Sequence, residues 1–116
     1  MTIRQAIDRL DSRMANTFTN ADKVAWLSAA ESLINASVFN SSGMEYDADD
    51  LETYLLAPAP FDEMYLHYLE AMIHYQNGEN DRYNAAIILF NKFFDDFAAW
   101  HIRNNKPQNR RTRFVF

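Results

Sequence analysis

Residues 55–100 read LLAPAPFDEMYLHYLEAMIHYQNGENDRYNAAIILFNKFFDDFAAW, and the reading of this stretch decides the fold. Pro58 and Pro60 open it, Gly78 divides it, and aromatic residues fill both halves. In the first half Phe61, Tyr65, Tyr68, Met72 and Tyr75 recur at helical spacing, with Leu66, Leu69 and Ile73 on an adjacent stripe. Apolar residues over more than one face mark a helix contacted from several sides. In the second half Ala86, Phe90, Phe93, Phe97 and Trp100 recur at steps of four and three, and Ile87, Phe94 and Ala98 broaden that face. Gly78 suits the position just past a helix end, where left-handed backbone favours a residue without a Cβ. The stretch is therefore predicted to be a helical hairpin, with helices over 61–77 and 81–101. Pro60 is expected in the first helical turn, where a missing N–H costs nothing. Residues 57–60 are expected to be extended, because each proline disfavours helix in the residue before it.

Upstream, Thr2 and Gln5 have the spacing of a capping box, and Ile3, Ile7, Leu10 and Met14 follow on one stripe, so a first helix is predicted to end near Arg13. Thr19 and Asp22 repeat the capping arrangement, with Phe18 placed to pack against the first turn. A second helix is predicted over 20–38, lined by Val24, Leu27, Ile34 and Val38 and widened by Trp26 and Leu33. Ser32, Asn35 and Ser37 weaken its C-terminal half, since their side chains compete for backbone hydrogen bonds. Residues 40–60 form the irregular part. There Glu45, Asp47, Asp49, Asp50 and Glu52 place five carboxylates within eight residues, and Tyr46, Leu51, Tyr54, Leu55 and Leu56 are the residues available to anchor the segment. The fold class expected is all-α: a small four-helix domain over 1–104, built on a long helical hairpin, with an extended C-terminal arm over 105–116.

Composition supports this. A length of 116 residues suits one domain. Two glycines and three prolines leave few places to turn sharply, which favours long helices over many short strands. The absence of cysteine excludes disulfides and thiolate metal sites. MTIRQAIDRLDSR has no apolar signal-peptide core, and no run approaches the ~18 apolar residues of a membrane span, so a soluble protein, intracellular or released by lysis, is expected.

Catalysis is not expected. His67 and His74 lie two helical turns apart, too far to share a metal directly, and each follows a carboxylate by four residues (Glu63 and Glu70). Di-iron bundles instead use Glu-x-x-His on paired helices, so these residues read as helix-face pairs. The acidic loop lacks the glycine and the final glutamate of a calcium-binding EF-hand loop. No phosphate loop, nucleophile elbow or Ser/His/Asp grouping stands out, and no cofactor is expected.

Charge points elsewhere. The first 102 residues hold all sixteen acidic residues against six basic ones, while the last fourteen hold five basic residues and no acidic one: Arg103, Lys106, Arg110, Arg111 and Arg113. Along this end Thr112, Phe114 and Phe116 alternate with Arg111, Arg113 and Val115, a strand-like period of two. An acidic body with a basic, aromatic end suggests an interaction arm that a partner takes up by strand addition. The acidic body disfavours general affinity for DNA.

The segments IRQAIDRLD (3–11), TNADKVAWLS (19–28), LLAPAPFDEMYLHYLEAMIHYQNGE (55–79) and RYNAAIILFNKFFDDFAAWH (82–101), with NKP (105–107) downstream, resemble the small head-tail connector (adaptor, or head-completion) proteins of tailed bacteriophages and prophages. The likeness covers most of residues 1–107; the loop at 40–50 and the end after Pro107 match it less closely. It implies a non-enzymatic virion structural protein of the phage neck, found in the host cytoplasm during assembly. Such proteins are helical and join rings of about twelve copies beneath the portal protein, without contact to a membrane. They extend the channel through which packaged DNA passes without sequence-specific contact, and dock a stopper or tail-completion protein. On this likeness Arg110, Arg111, Arg113, Phe114, Val115 and Phe116 are the expected portal-binding arm, and Glu45, Asp47, Asp49, Asp50 and Glu52 a subunit or tail-side interface. A helical adaptor or regulator of a bacterial cytoplasm, using the same arm as a peptide ligand, is the alternative.

Overall fold

The computed structural model describes residues 1–41 and 45–104, and the arm at 105–116 lies outside them. The described chain is all-α: α1 (Ile3–Arg13), α2 (Asn20–Ile34), a π-helical turn over Asn35–Phe39, α3 (Glu63–Gln76) and α4 (Asn80–Asn104).

Both capping boxes form. The Gln5 N–H donates to Thr2 Oγ1 at 3.1 Å while the Thr2 N–H donates to Gln5 Oε1 at 2.9 Å. Thr19 and Asp22 exchange the same pair of bonds at 3.1 and 3.3 Å. Phe18, however, stacks edge-on against Trp26, with ring centroids 5.3 Å apart, beyond the first turn where a staple was expected. The position it would have covered belongs to Lys23, whose side chain is 3% exposed and donates to Asp11 at 2.8 Å.

The α-helical hydrogen bonding of α2 stops at Ile34, four residues short of the predicted end, and widens into the π-turn. The turn closes with Asn40 in the left-handed region, φ 56°. Asn35 and Ser37, two of the residues expected to weaken the end of the helix, fall in this turn. Leu33, expected on the buried face, is 46% exposed; the buried positions beside it are Ala30, Glu31 and Ile34.

Two expectations about the prolines fail. Pro60 lies ahead of α3, whose first residue is Glu63. Residues 58–61 form a turn, closed by the Phe61 N–H on the Pro58 carbonyl at 2.9 Å, with the Ala59–Pro60 peptide cis. A proline at the third position of such a turn bends the chain sharply, so the approach to α3 is only partly extended.

Helix α3 is the centre. Met64, Tyr65, Leu66 and Leu69 are all 0% exposed, and α1, α2 and α4 all pack against α3. Its end is a Schellman arrangement: Gly78 N–H to Tyr75 O at 3.2 Å and Glu79 N–H to His74 O at 2.9 Å, with Gly78 at φ +74°. The hairpin then returns as α4, which lays Ala86, Phe90 and Phe97 onto the core. Phe97 lies 5.8 Å from Phe61 and 6.3 Å from Phe39, ring centre to ring centre, so it joins α4 to the lead-in of α3 and to the π-turn.

A Cβ added at Gly78 would meet nothing within 4 Å, so only the backbone conformation opposes a side chain there. Gly78→Ala is expected to destabilise the domain by about 1 kcal/mol, with Gly78→Asn costing less, as measured by urea unfolding. Equal stability of all three proteins would contradict this account of the turn.

Candidate functional site

The segment linking the π-turn to α3 carries the acidic cluster, and a buried carboxylate holds it. Glu31 of α2 is 0% exposed. Its Oε2 accepts the Tyr46 hydroxyl at 2.9 Å and the Leu56 N–H at 2.9 Å, and its Oε1 accepts the Tyr65 hydroxyl at 2.6 Å. The Tyr65 oxygen in turn accepts the Ala57 N–H at 2.9 Å. Nearby, the Tyr46 N–H donates to Ser28 Oγ at 2.8 Å. The linker is thus fastened to α2 at Tyr46 and Leu56, and to α3 through Tyr65. Between those points it runs along the N-terminal segment: Arg4 N–H to Leu51 O at 2.8 Å, Ile3 N–H to Thr53 O at 3.0 Å and Leu55 N–H to Met1 O at 3.0 Å.

This anchoring presents the carboxylates unequally. Glu45, Asp47 and Asp49 are exposed, and among the described residues no cation stands within ion-pair distance of them. Asp50 is half-buried and accepts the Asp47 N–H at 2.7 Å, so it shapes the loop. Glu52 pairs with the Arg4 guanidinium, and that contact raises the Arg4 pKa. Of the five predicted residues, Glu45, Asp47 and Asp49 are exposed and unpaired among the described residues, Asp50 is turned into the loop, and Glu52 is exposed but paired with Arg4 at the surface. Glu45 and Asp47, with Ala25, Ser28 and Tyr46, line a surface depression of about 250 Å³. The predicted arm residues Arg110, Arg111, Arg113, Phe114, Val115 and Phe116 lie outside the described residues.

The histidine pairings differ from the i,i+4 reading. His67 Nδ1 lies 3.1 Å from Glu70, three residues later, and His74 Nδ1 lies 2.8 Å from Glu79 beyond the turn. Glu63 instead receives Arg13 of α1 at 3.0 Å. Hydrogen bonding to His67 holds the Glu70 carboxyl below its usual range, and His74 does the same for Glu79. The His67 ring stacks on Phe93 at 5.6 Å. Among the described residues no three of His, Asp and Glu converge as a metal site would require. Nor is any described helix long and apolar enough to cross a membrane.

Sequence reasoning missed Glu31. It lies on the predicted apolar face itself, four residues after Leu27 and three before Ile34, and that register was the available signal of its burial; a lone glutamate in a helix otherwise reads as solvated. Tyr46, Tyr65 and the Leu56 amide, which satisfy it, lie 15 to 34 residues away in sequence. Burial raises the Glu31 pKa, outweighing the three hydrogen bonds that favour its charged form, and burial first and the neighbouring Glu31 charge second push the Tyr46 and Tyr65 hydroxyls upward.

A folded pKa above the unfolded value makes Glu31 favour folding most below the ordinary carboxylate range, and this contribution is lost as pH rises through the raised value. Glu31→Gln does not titrate and cannot accept on both sides, so one donor loses its partner, at about 1–3 kcal/mol. The stability advantage of the wild-type over Glu31→Gln is expected to shrink as pH rises above the ordinary carboxylate value of 4.5. Glu70 and Glu79 titrate alike in both proteins and cancel from the difference. A pH-independent gap in denaturant unfolding would contradict the assignment.

Compared with protein-family models, characterised proteins and solved structures, the chain gives no match.

Proposed function

We propose that this chain is a structural head-tail connector of a tailed-phage neck, forming a ring of about twelve copies under the portal protein. In this role it extends the DNA channel and offers a docking face to a stopper or tail-completion protein. The observation that carries the reading is the match between the connector-like segments and the helices that build the core. Residues 55–79 supply the anchored lead-in and the central helix α3, residues 82–101 supply most of α4, and 3–11 and 19–28 supply α1 and the first turns of α2. The likeness therefore falls on the scaffold as a whole and not on one helix of common composition.

Two surfaces serve the role. The first is the group Glu45, Asp47 and Asp49, displayed on a loop pinned at Tyr46 and Leu56 and hence pre-positioned for a basic partner surface. The second is the basic, aromatic sequence following α4, in which Phe114 and Phe116 are the proposed anchors and the arginines meet acidic groups on the portal. Complementary charge at such contacts sets encounter rate and register more than total affinity.

Removal of residues 108–116 is expected to abolish capture by the cognate portal ring while leaving the helical circular-dichroism signal unchanged. Capture at the full-length level would sink the portal assignment. A full-length chain that binds no portal ring would favour the cytoplasmic adaptor instead. The triple change Glu45→Gln, Asp47→Asn, Asp49→Asn spares the turn held by Asp50, so it is expected to leave the melting temperature nearly unchanged and to lower the yield of assembled necks seen by particle imaging. Necks forming at the wild-type yield would remove the loop from the interface.

A further inference from the structure

Helix α4 has two faces, and the fold uses only one of them. Opposite the stripe that packs on the core, Ala85, Ile88, Lys92, Asp95, Ala99 and Ile102 follow one another at steps of three and four, and all six are exposed. Ile88 is 67% and Ile102 66% exposed, with Leu89 beside them at 41%. This is the spacing of a coiled-coil seam, two and a half heptads long.

The order of residues along the seam specifies what covers it. When two copies of α4 run antiparallel, Ala85 meets the partner's Ile102, Ile88 meets the partner's Ala99, and Lys92 meets the partner's Asp95. The same three contacts repeat across the twofold axis. Every apolar layer sets a large residue against a small one, and both central layers set a cation against an anion. Parallel pairing would instead oppose lysine to lysine and aspartate to aspartate, with unfilled alanine layers between isoleucines. From this self-complementarity we infer that α4 is the seam of an antiparallel, twofold-symmetric dimer of this chain.

Energetics agree with the geometry. An isolated helix pair of this length is marginal, because each strand must first be ordered. Here α4 is already folded on α3 through Phe90 and Phe97, so pairing orders side chains only. The Lys92 ammonium sits 3.1 Å from Asp96 of its own helix and 63% exposed, within reach of a facing carboxylate. A polar layer inside an otherwise apolar seam lowers affinity and fixes orientation and register. The contact is isologous and closes on itself, whereas ring contacts run head to tail. It is therefore a state of the free chain, independent of the portal reading.

The chain lacks cysteine, which makes cross-linking a clean test. Ile88→Cys and Ala99→Cys, purified separately, are expected to form a disulfide-linked dimer when mixed and oxidised, and neither is expected to do so alone. In the inferred register identical positions stand about 16 Å apart, beyond disulfide reach. In sedimentation, Lys92→Asp and Asp95→Lys should each dissociate the wild-type dimer, and the double exchange Lys92→Asp/Asp95→Lys should restore it. Circular dichroism of each variant checks that the fold is kept. A wild-type chain monomeric at about 100 µM would overturn the inference. So would Ile88→Cys cross-linking to itself as readily as to Ala99→Cys, or a double exchange that fails to restore the dimer. Failure of the uncross-linked wild-type chain to be captured by a portal ring, with the free-chain dimer still formed, would count against the connector reading alone.

Discussion

Glu31 places a carboxylate with no exposed surface between α2, α3 and the linker, and the fold around it is arranged to satisfy that group. An ionised carboxylate removed from water costs several kcal/mol unless hydrogen bonds replace its hydration. Three donors supply them here, a tyrosine hydroxyl and a backbone amide from the two ends of the linker and a second tyrosine hydroxyl from α3. Apolar burial is non-directional, whereas bringing the Tyr46 hydroxyl and the Leu56 amide onto one carboxylate fixes the path of the linker. The polar network selects that path, which is the role buried polar groups serve when every member is satisfied. Among the described residues no buried side-chain nitrogen or oxygen lacks a partner.

That constraint reaches the surface. With both ends of the acidic segment fixed, Asp50 turns inward to receive the Asp47 amide and Glu52 is drawn to Arg4, leaving Glu45, Asp47 and Asp49 outward. A cluster of five carboxylates in sequence becomes three unpaired exposed charges, one exposed charge paired with Arg4, and one that shapes the loop. The tether also brings residues 51–55 alongside the N-terminal segment, where Thr2 pairs with Tyr54 as an isolated antiparallel bridge. What the domain displays is thus set by what it buries.

The hairpin works differently. Its order comes from apolar area and ring contacts: Tyr68 with Phe90, Phe97 with Phe61, and Tyr75 with Tyr83 near the turn. Helix α3 is enclosed by neighbours, whereas α4 meets mainly α3 and leaves its far side to solvent. Of the 25 residues of α4 three are buried, and the seam from Ala85 to Ile102 is where its exposed side carries a pattern.

The sequence by itself determined the elements: four helices, both capping boxes, the break at Gly78 and the central position of α3. Each depends on residues within a few positions of one another, through side-chain periodicity and backbone preference, so a local reading captures them. It also located the acidic cluster and the basic end. Only the tertiary structure decided which carboxylates of the acidic segment find partners within the domain, that Leu33 faces solvent, that His67 and His74 pair forward to Glu70 and Glu79, and that Glu31 is the anchor of the linker. Those outcomes depend on groups that meet across tens of residues. A buried charge is tolerable only where its partners converge, and convergence is a property of the folded chain.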